Sequence, residues 1–410
     1  MRILFFSHYF PPEGNAPAYR TFENCRRWVH NGHDVTVITC APNVPNGILF
    51  KGYDNALFRR ETVEGISVIR VWTFLAANRG TVRRILNYLS YMLCSTFFAL
   101  FLRRPDIIIA TSPQFFCGWA GVLSSRLRRI PFILEIRDIW PESILAVEAI
   151  HNGWIIRMLE WLEIKMYAAA QHIVTVGEGY RQRLMEKGFD SKDISVVMHG
   201  IDHDLFFPRE PDQELKKELG LQGKFICSYV GTIGMACGLK VVLECAQLLK
   251  EEGNEKIVFL LVGDGAVREE LEDEALLLCL NNVIFAGLQD KKMIPAFLSI
   301  TSACLVHLRK RVLFQTVMPS KIFEAAGMGR PIINGVEGFA SQIVEEAKCG
   351  ICIEPDNADE LLKALKHLLK YPEEAEEMGQ SGYKYVSKRF DLNNLAREYE
   401  RILEDSLATG

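Results

Sequence analysis

The sequence has no excess of either charge, no arrangement of cysteines that pairs them, and no apolar run that reads unambiguously as a membrane span. Lys and Arg number 47 against 51 Asp and Glu, a net charge of -4. That excludes the strongly basic surface that general nucleic-acid binding requires. The 11 cysteines are odd in number and scattered. With no signal peptide at the front, they read as free thiols of a reduced, cytoplasmic protein and not as a disulfide framework. Cys349 and Cys352 form a lone CxxC with no second pair, so small buried residues are expected there in place of metal or redox chemistry.

The nearest approach to a span is Ile85 to Leu102, ILNYLSYMLCSTFFALFL, flanked by Arg83 and Arg84 before and by Arg103 and Arg104 after. Its length sits at the lower limit for crossing a bilayer. It also lies between two expected strands of one domain, where spanning would tear the sheet apart. A buried or membrane-docked helix is expected, and the paired arginines favour peripheral contact with the inner face of a membrane.

What the sequence does have is a regular alternation. At 410 residues, 49% hydrophobic and 24% charged, it is a globular chain long enough for two cores. Apolar strands at 1–6, 66–71, 106–111, 132–136, 172–176 and 194–197 alternate with helical stretches. The rhythm resumes with strands at 225–230, 257–262 and 283–285. Such alternation predicts doubly wound parallel sheets, an α/β fold of two Rossmann-like domains facing a cleft. The boundary is placed at His199-Gly200-Ile201-Asp202, giving domains of 1–200 and 201–389. The tail is expected to be helical from 372 to 407 with a break near Phe390-Asp391. Residues 390–410 then either cross back to the first domain or lie as a surface amphipathic helix.

The chemistry gathers at strand ends, where open α/β sheets bind ligands. After an apolar strand ending near Leu308 come Arg309, Lys310 and Arg311, then a loop with Thr316. Pro319 and Ser320 suit the first turn and cap of a following helix. Cations beside a helix start make an anion site. Lys321 and Glu324, three apart, share a face: the carboxylate can accept from sugar hydroxyls, or the pair is an ordinary surface ion pair. Gly231-Thr232-Ile233-Gly234 and Gly263-Asp264-Gly265, with Arg268 beyond, are glycine loops whose amides can approach phosphate. Gly287 ends the next strand. In the first half, Gly14 lies in the loop at the carboxyl end of the first strand, where open α/β sheets bind ligands, or is a plain tight turn. Asp138, in Arg137-Asp138-Ile139-Trp140-Pro141, is a candidate for positioning substrate or for capping the next turn, with Arg137 as its salt-bridge partner. Asp202 and Asp204 form Asp-x-Asp in the hinge, where nothing nearby supplies further metal ligands, so no metal is expected.

These segments carry a resemblance. PSKIFEAAGMGRPII, then Gly335 and CGICIEPDN, resembles the donor-binding segment of retaining family 4 glycosyltransferases of the GT-B fold, closest to the bacterial surface-polysaccharide, fucosaminyltransferase-like subgroup. The Pro-Pro-Glu-Gly loop, the Arg-Asp pair and the His-Gly-Ile-Asp hinge extend it over nearly the whole chain. The resemblance implies an acceptor-binding first domain and a nucleotide-sugar-binding second domain, with a last helix crossing back. It implies catalytic roles for Asp138, Lys321 and Glu324. Donor contacts are implied for Gly14, Gly231, Thr232, Gly234, Arg268, Gly287, Arg309, Lys310, Thr316, Pro319 and Ser320.

The chain also departs from the wider family. Thr316 stands where that family has the first of two glutamates, the second matching Glu324, and Thr232 and Cys237 stand where it has cations. Arg309, Lys310 and Lys321 are then left to supply the charge that a leaving diphosphate needs. The expectation is transfer of an N-acetylated amino sugar from a UDP-sugar to a lipid-linked saccharide without metal or other cofactor. Two alternatives are a sugar-nucleotide epimerase of the same shape and a nucleotide-binding partner without turnover.

Overall fold

The computed structural model describes residues 1–44, 46–77, 81–112, 114–139 and 153–408. Trp140 and Pro141 of the strand-end motif lie outside them. The chain divides into two compact units, Met1–Met198 with Leu392–Gly410, and His199–Asp391.

The first unit runs β1 (Arg2–Phe6), α1 (Ala16–His30), β2 (Asp34–Cys40), β3 (Phe58–Val63), β4 (Ile66–Val71), α2 (Thr81–Ala99), β5 (Ile107–Thr111), α3 (Phe115–Arg128), β6 (Phe132–Ile136), α4 (Gly153–Tyr167), β7 (His172–Thr175), α5 (Glu178–Glu186) and β8 (Ile194–Val196). Its sheet has the order β3-β4-β2-β1-β5-β6-β7-β8. The strands are parallel except β3, which pairs antiparallel with β4. The apolar-run reading misses β3 because Arg59, Arg60 and Glu61 interrupt it. It is a charged edge strand, joined to β4 by Glu64-Gly65, both with positive φ (48° and 79°) as a tight hairpin requires. The interior strands β5 and β6 are buried along their whole length, as parallel strands covered on both faces must be.

The second unit runs α6 (Gln213–Glu218), β9 (Phe225–Val230), α7 (Lys240–Glu251), β10 (Ile257–Val262), α8 (Arg268–Leu277), β11 (Val283–Gly287), α9 (Ile294–Ser299), β12 (Ala303–His307), α10 (Lys321–Gly327), β13 (Ile332–Gly335), α11 (Phe339–Glu346), β14 (Gly350–Cys352), α12 (Ala358–Lys370) and α13 (Pro372–Arg389). Its parallel sheet has the order β11-β10-β9-β12-β13-β14. Phe259, Leu261, Leu243 and Leu365 are among its core side chains. Burying each contributes roughly 1.5–3 kcal/mol. Cys349 is buried, which pushes its thiol up to about 12, while Cys352 is half-buried; both are free.

A final helix, α14 (Leu392–Ala408), belongs to the first unit. Trp28 of α1 donates its indole N–H to the Ala396 carbonyl at 3.1 Å, and its ring meets Tyr399 edge-on at 5.2 Å. The two chain crossings lie side by side: the Ile201 amide donates to the Phe390 carbonyl at 2.8 Å, and Ile201 bridges to Asp391. Among the described residues no helix is long and apolar enough to cross a membrane.

In each sheet the direction of winding reverses once, between β1 and β5 in the first unit and between β9 and β12 in the second. The crevice outside the strand carboxyl ends at such a reversal is where doubly wound sheets bind ligands.

Candidate functional site

At the second unit's reversal the chain leaves β9 through Gly231 and leaves β10 through Gly263. Both have φ angles (133° and 141°) that side-chain-bearing residues rarely adopt. The two loops interlock. The Gly231 amide donates to the Val262 carbonyl at 2.8 Å, and the Ile233 amide to the Asp264 carbonyl at 2.9 Å. A Cβ at Gly263 would lie 1.9 Å from the Gly231 carbonyl oxygen, and one at Gly265 only 2.3 Å from that of Ile233. These glycines are therefore a condition of the loop packing itself.

Gly231 also makes room for a cation. A Cβ there would lie 2.8 Å from Nζ of Lys321, the first residue of α10. The ammonium sits over the Tyr229 ring, 4.6 Å from its centroid. Tyr229 is itself buried, which raises its phenol well above its ordinary range, and its hydroxyl donates to the Thr232 carbonyl at 2.8 Å. Glu324 does not pair with Lys321, although they are three apart on one helix. Its carboxylate is bonded to Lys291, whose ammonium also lies 4.8 Å from the Phe206 ring centroid. Lys321 and Glu324 line one small pocket with Ser228, Val230 and Cys304. Lys291 carries no motif; only its basic neighbour Lys292 and an Asp-capped turn mark the segment.

The other expected donor residues divide. Arg309 reaches this end of the sheet, its amide donating to the Ala236 carbonyl at 2.9 Å, and its side chain is exposed. Lys310 is turned elsewhere: its ammonium bonds Glu354 and its amide donates to the Asp356 carboxylate at 2.9 Å. Arg268 lies against Gly287 (φ 71°) with its guanidinium held by Glu272 at 2.8 Å. Gly234 ends its loop in extended backbone. Thr316 closes a short 3-10 turn and donates its hydroxyl to the Leu313 carbonyl at 2.8 Å. The expected Ser320 cap is not made. Ser320 has helical angles (φ -60°, ψ -22°), whereas a capping side chain needs extended backbone to reach back. Pro319 instead enters the first turn through its carbonyl, which accepts from the Ile322 amide at 3.2 Å.

His307, at the end of β12, was not singled out by sequence reasoning. It is buried, and its Nε2 accepts from the Asp356 amide at 2.9 Å. Nδ1 must then be the protonated nitrogen, donating to the Cys237 carbonyl at 2.7 Å. Burial lowers its pKa, so the ring is a neutral brace between the turn after β9 and the segment after β14.

At the first unit's reversal the strand ends are filled. His8 is buried, meets Tyr9, Tyr88 and Tyr91 edge-on at 4.9–5.3 Å, and is lowered to about 3 by that burial. Glu13 is buried and accepts from the amides of Asn43 and Val44 at 3.0 and 3.2 Å; desolvation pushes it up to about 7. Gly14, beside it, is open, with nothing within 4 Å of where a Cβ would stand. Deeper in, Arg20 bonds Glu135 at 3.0 Å and the carbonyls of Val197 and Met198, and Thr111 donates to the same carboxylate at 2.7 Å. A lone glutamate inside the apolar strand FILEI was the available signal for that network.

Asp138 lines a small cavity with Ser112, Gln114 and Tyr167. The expected Arg137–Asp138 salt bridge does not form. Arg137 Nε and Nη1 have no hydrogen-bond partner among the described residues, and burial lowers the guanidinium to about 10. Asp202 accepts from the Asp204 amide at 3.2 Å and so caps its own turn, while Asp204 is exposed.

Comparison with known proteins follows the same division. Residues 15–200 match the family model of the glycosyl transferase 4-like domain, and residues 211–385 that of glycosyl transferases group 1. The "Putative colanic acid biosynthesis glycosyl transferase WcaI" of Escherichia coli K12 is 25% identical over 97% of this chain and 98% of its own. Among solved structures, Anabaena Alr3699/HepE in complex with UDP-glucose superposes with a TM-score of 0.75 at 16% identity, covering 99% of this chain and 100% of that one. WaaG, a glycosyltransferase involved in lipopolysaccharide biosynthesis, gives 0.70 at 14% identity, covering 98% and 99%. At those identities the two structures establish the fold alone.

Proposed function

We propose that this chain, which through both of its halves belongs to the GT-B glycosyltransferases, moves a sugar from a UDP-sugar to a lipid-linked saccharide during surface-polysaccharide synthesis. The observation that carries the reading is Lys321. It is a cation set against a strand-end glycine at the sheet's reversal, one helical turn from the Glu324 carboxylate. Lys321 and the exposed Arg309 neutralise the leaving diphosphate, and Glu324 accepts from the ribose hydroxyls. The acceptor hydroxyl oxygen bonds the anomeric carbon as the bond to the phosphate oxygen breaks, and the departing phosphate takes the hydroxyl proton. Asp138 positions the acceptor side. No metal takes part in this scheme, so turnover persists in excess EDTA; complete loss restored by Mg²⁺ would replace the mechanism. Transfer takes place at the inner face of the membrane, with the protein peripherally bound.

The donor is an N-acetylated amino sugar. Thr316 donates its hydroxyl proton to the Leu313 carbonyl and leaves one neutral oxygen to accept from a sugar hydroxyl, where a carboxylate would offer two charged ones. Backbone amides can donate to an acetamido oxygen but cannot accept. Competition between UDP-N-acetylglucosamine and UDP-glucose tests this. About tenfold or greater preference for the acetamido sugar is expected, since unpaired buried polar groups cost about 1–3 kcal/mol. Equal use of UDP-glucose would defeat it. Turnover with and without lipid-linked acceptor tests the reaction class, since product formed without acceptor would mean an epimerase.

A further inference from the structure

Between Glu64 and Glu135 the chain contains one carboxylate, Asp106, and nine arginines. Asp106 is already paired with Arg2 at 2.9 Å. This stretch supplies α2 and α3. α3 packs between α2 and α4, with Gly118 so close to α4 that a Cβ would lie 2.3 Å from the Met166 sulfur. Arg128 of α3 donates to the carbonyls of Ala99 and Leu102, closing the end of α2. The three helices therefore form one layer.

The outer side of that layer is apolar and aromatic. On α2, Val82, Leu86, Leu93 and Phe97 lie within about 60° of one another around the helix axis. Leu93 and Phe97 are 63% and 55% exposed, and Phe101 just beyond is 72% exposed. On α4, Trp154, Met158, Trp161 and Lys165 make a second stripe of the same width. Trp154 and Trp161 are 68% and 58% exposed, and the Lys165 ammonium lies 5.9 Å from the Trp161 ring centroid. Exposed Arg83, Arg103, Arg104 and Arg157 flank the two stripes. Neither helix is long and apolar enough to span a bilayer.

We propose that α2 and α4 together form a docking surface for an anionic lipid bilayer, with Phe97, Phe101, Trp154 and Trp161 entering the headgroup boundary and the arginines meeting lipid phosphates. The charge decides the partner. α2 and its flanks carry Arg83, Arg84, Arg103 and Arg104 with no carboxylate among them. On α4, Arg157 and Lys165 are matched by half-buried Glu160 and by Glu163, which is buried against Lys187. The face is net positive, so it complements a negatively charged surface and a second copy of it would repel itself. Exposed tryptophans beside cations are what an interfacial helix presents. The inference rests on the lipid-linked-acceptor reading in that it deepens it, while the partner is set by the charge and exposure of the face itself.

Co-sedimentation of the full chain with vesicles tests it. Vesicles of phosphatidylcholine with an equal share of phosphatidylglycerol should bind, and pure phosphatidylcholine should not. Arg83→Gln with Arg103→Gln should weaken binding about tenfold or more and flatten its salt dependence. Trp161→Ser with Phe97→Ser should weaken it about tenfold while leaving the melting curve in place, because both side chains are exposed. Equal binding to neutral vesicles, or no loss in either double variant, would overturn the proposal. So would concentration-dependent dimers that the Trp161→Ser, Phe97→Ser variant abolishes. UDP calorimetry without lipid, run in parallel, separates the two readings: UDP bound but vesicles ignored defeats the docking surface alone, and the reverse defeats only the transferase reading.

Discussion

At the reversal of the second sheet the chain leaves β9 and β10 through Gly231, Gly263 and Gly265; Lys321 lies where a side chain at Gly231 would stand, and neighbouring backbone fills the places of the other two. At the reversal of the first sheet it leaves β1 through buried Ser7 and His8 and half-buried Tyr9, whose ring packs on His8, with buried Glu13 close behind. The topology is the same and the contents are opposite. Glycine loops leave a strand end bare of side chains other than Lys321, with Arg309 at the same end, so backbone amides and cations are what it presents. Filled strand ends put titratable groups to structural use, which shows in how far burial moves them: His8 to about 3 and Glu13 to about 7.

The contrast breaks most severely at Gly263. Gly263→Ala places a Cβ against the Gly231 carbonyl at a φ of 141°. It should destabilise the second unit by about 3 kcal/mol or more, read from denaturant unfolding. An alanine variant as stable as the parent would mean that the loops are not interlocked.

Next in size is Glu13→Gln. The amide oxygen can still accept from Asn43 and Val44, while the charge is gone. Below the ordinary value of 4.5 both folded and unfolded chains hold the proton; between 4.5 and about 7 only the folded chain does. The parent therefore loses stability as pH rises through that window, by about 3 kcal/mol once it is passed. The glutamine variant should be the more stable one at about pH 8, with the gap closing on acidification. A gap that widens in acid would reverse the assignment.

Lys310→Ala should do least. Its ammonium is spent on Glu354 at an exposed surface, so UDP affinity should change by less than about twofold. A tenfold loss would return Lys310 to the phosphate site.

The strands and the break between α13 and α14 were legible because buried parallel strands are continuous apolar runs and Phe390-Asp391 interrupts a helical pattern. Phe225–Val230 and Ile257–Val262 match the expected spans. The charged edge strand β3 was not legible, since its pattern is set by solvent on one side. At the site, sequence order placed Gly231, Lys321 and Glu324 correctly on strand ends and a helix start. It had no means of pairing Glu324 with Lys291, thirty-three positions away, or of turning Lys310 toward Glu354. Those choices are made by three-dimensional proximity among like-charged candidates. His307 escaped notice because a lone histidine ending an apolar strand looks the same whether it braces two loops or does nothing.

The central claim is that the open strand ends of the second unit hold a nucleotide through Lys321 and Glu324. Calorimetric titration of UDP into the parent and into Glu324→Ala tests it most directly. Each ribose hydroxyl bonded to the carboxylate is a charge-assisted bond of roughly 1.5–3 kcal/mol. The variant should therefore bind UDP at least about tenfold more weakly, and unchanged affinity would contradict the account.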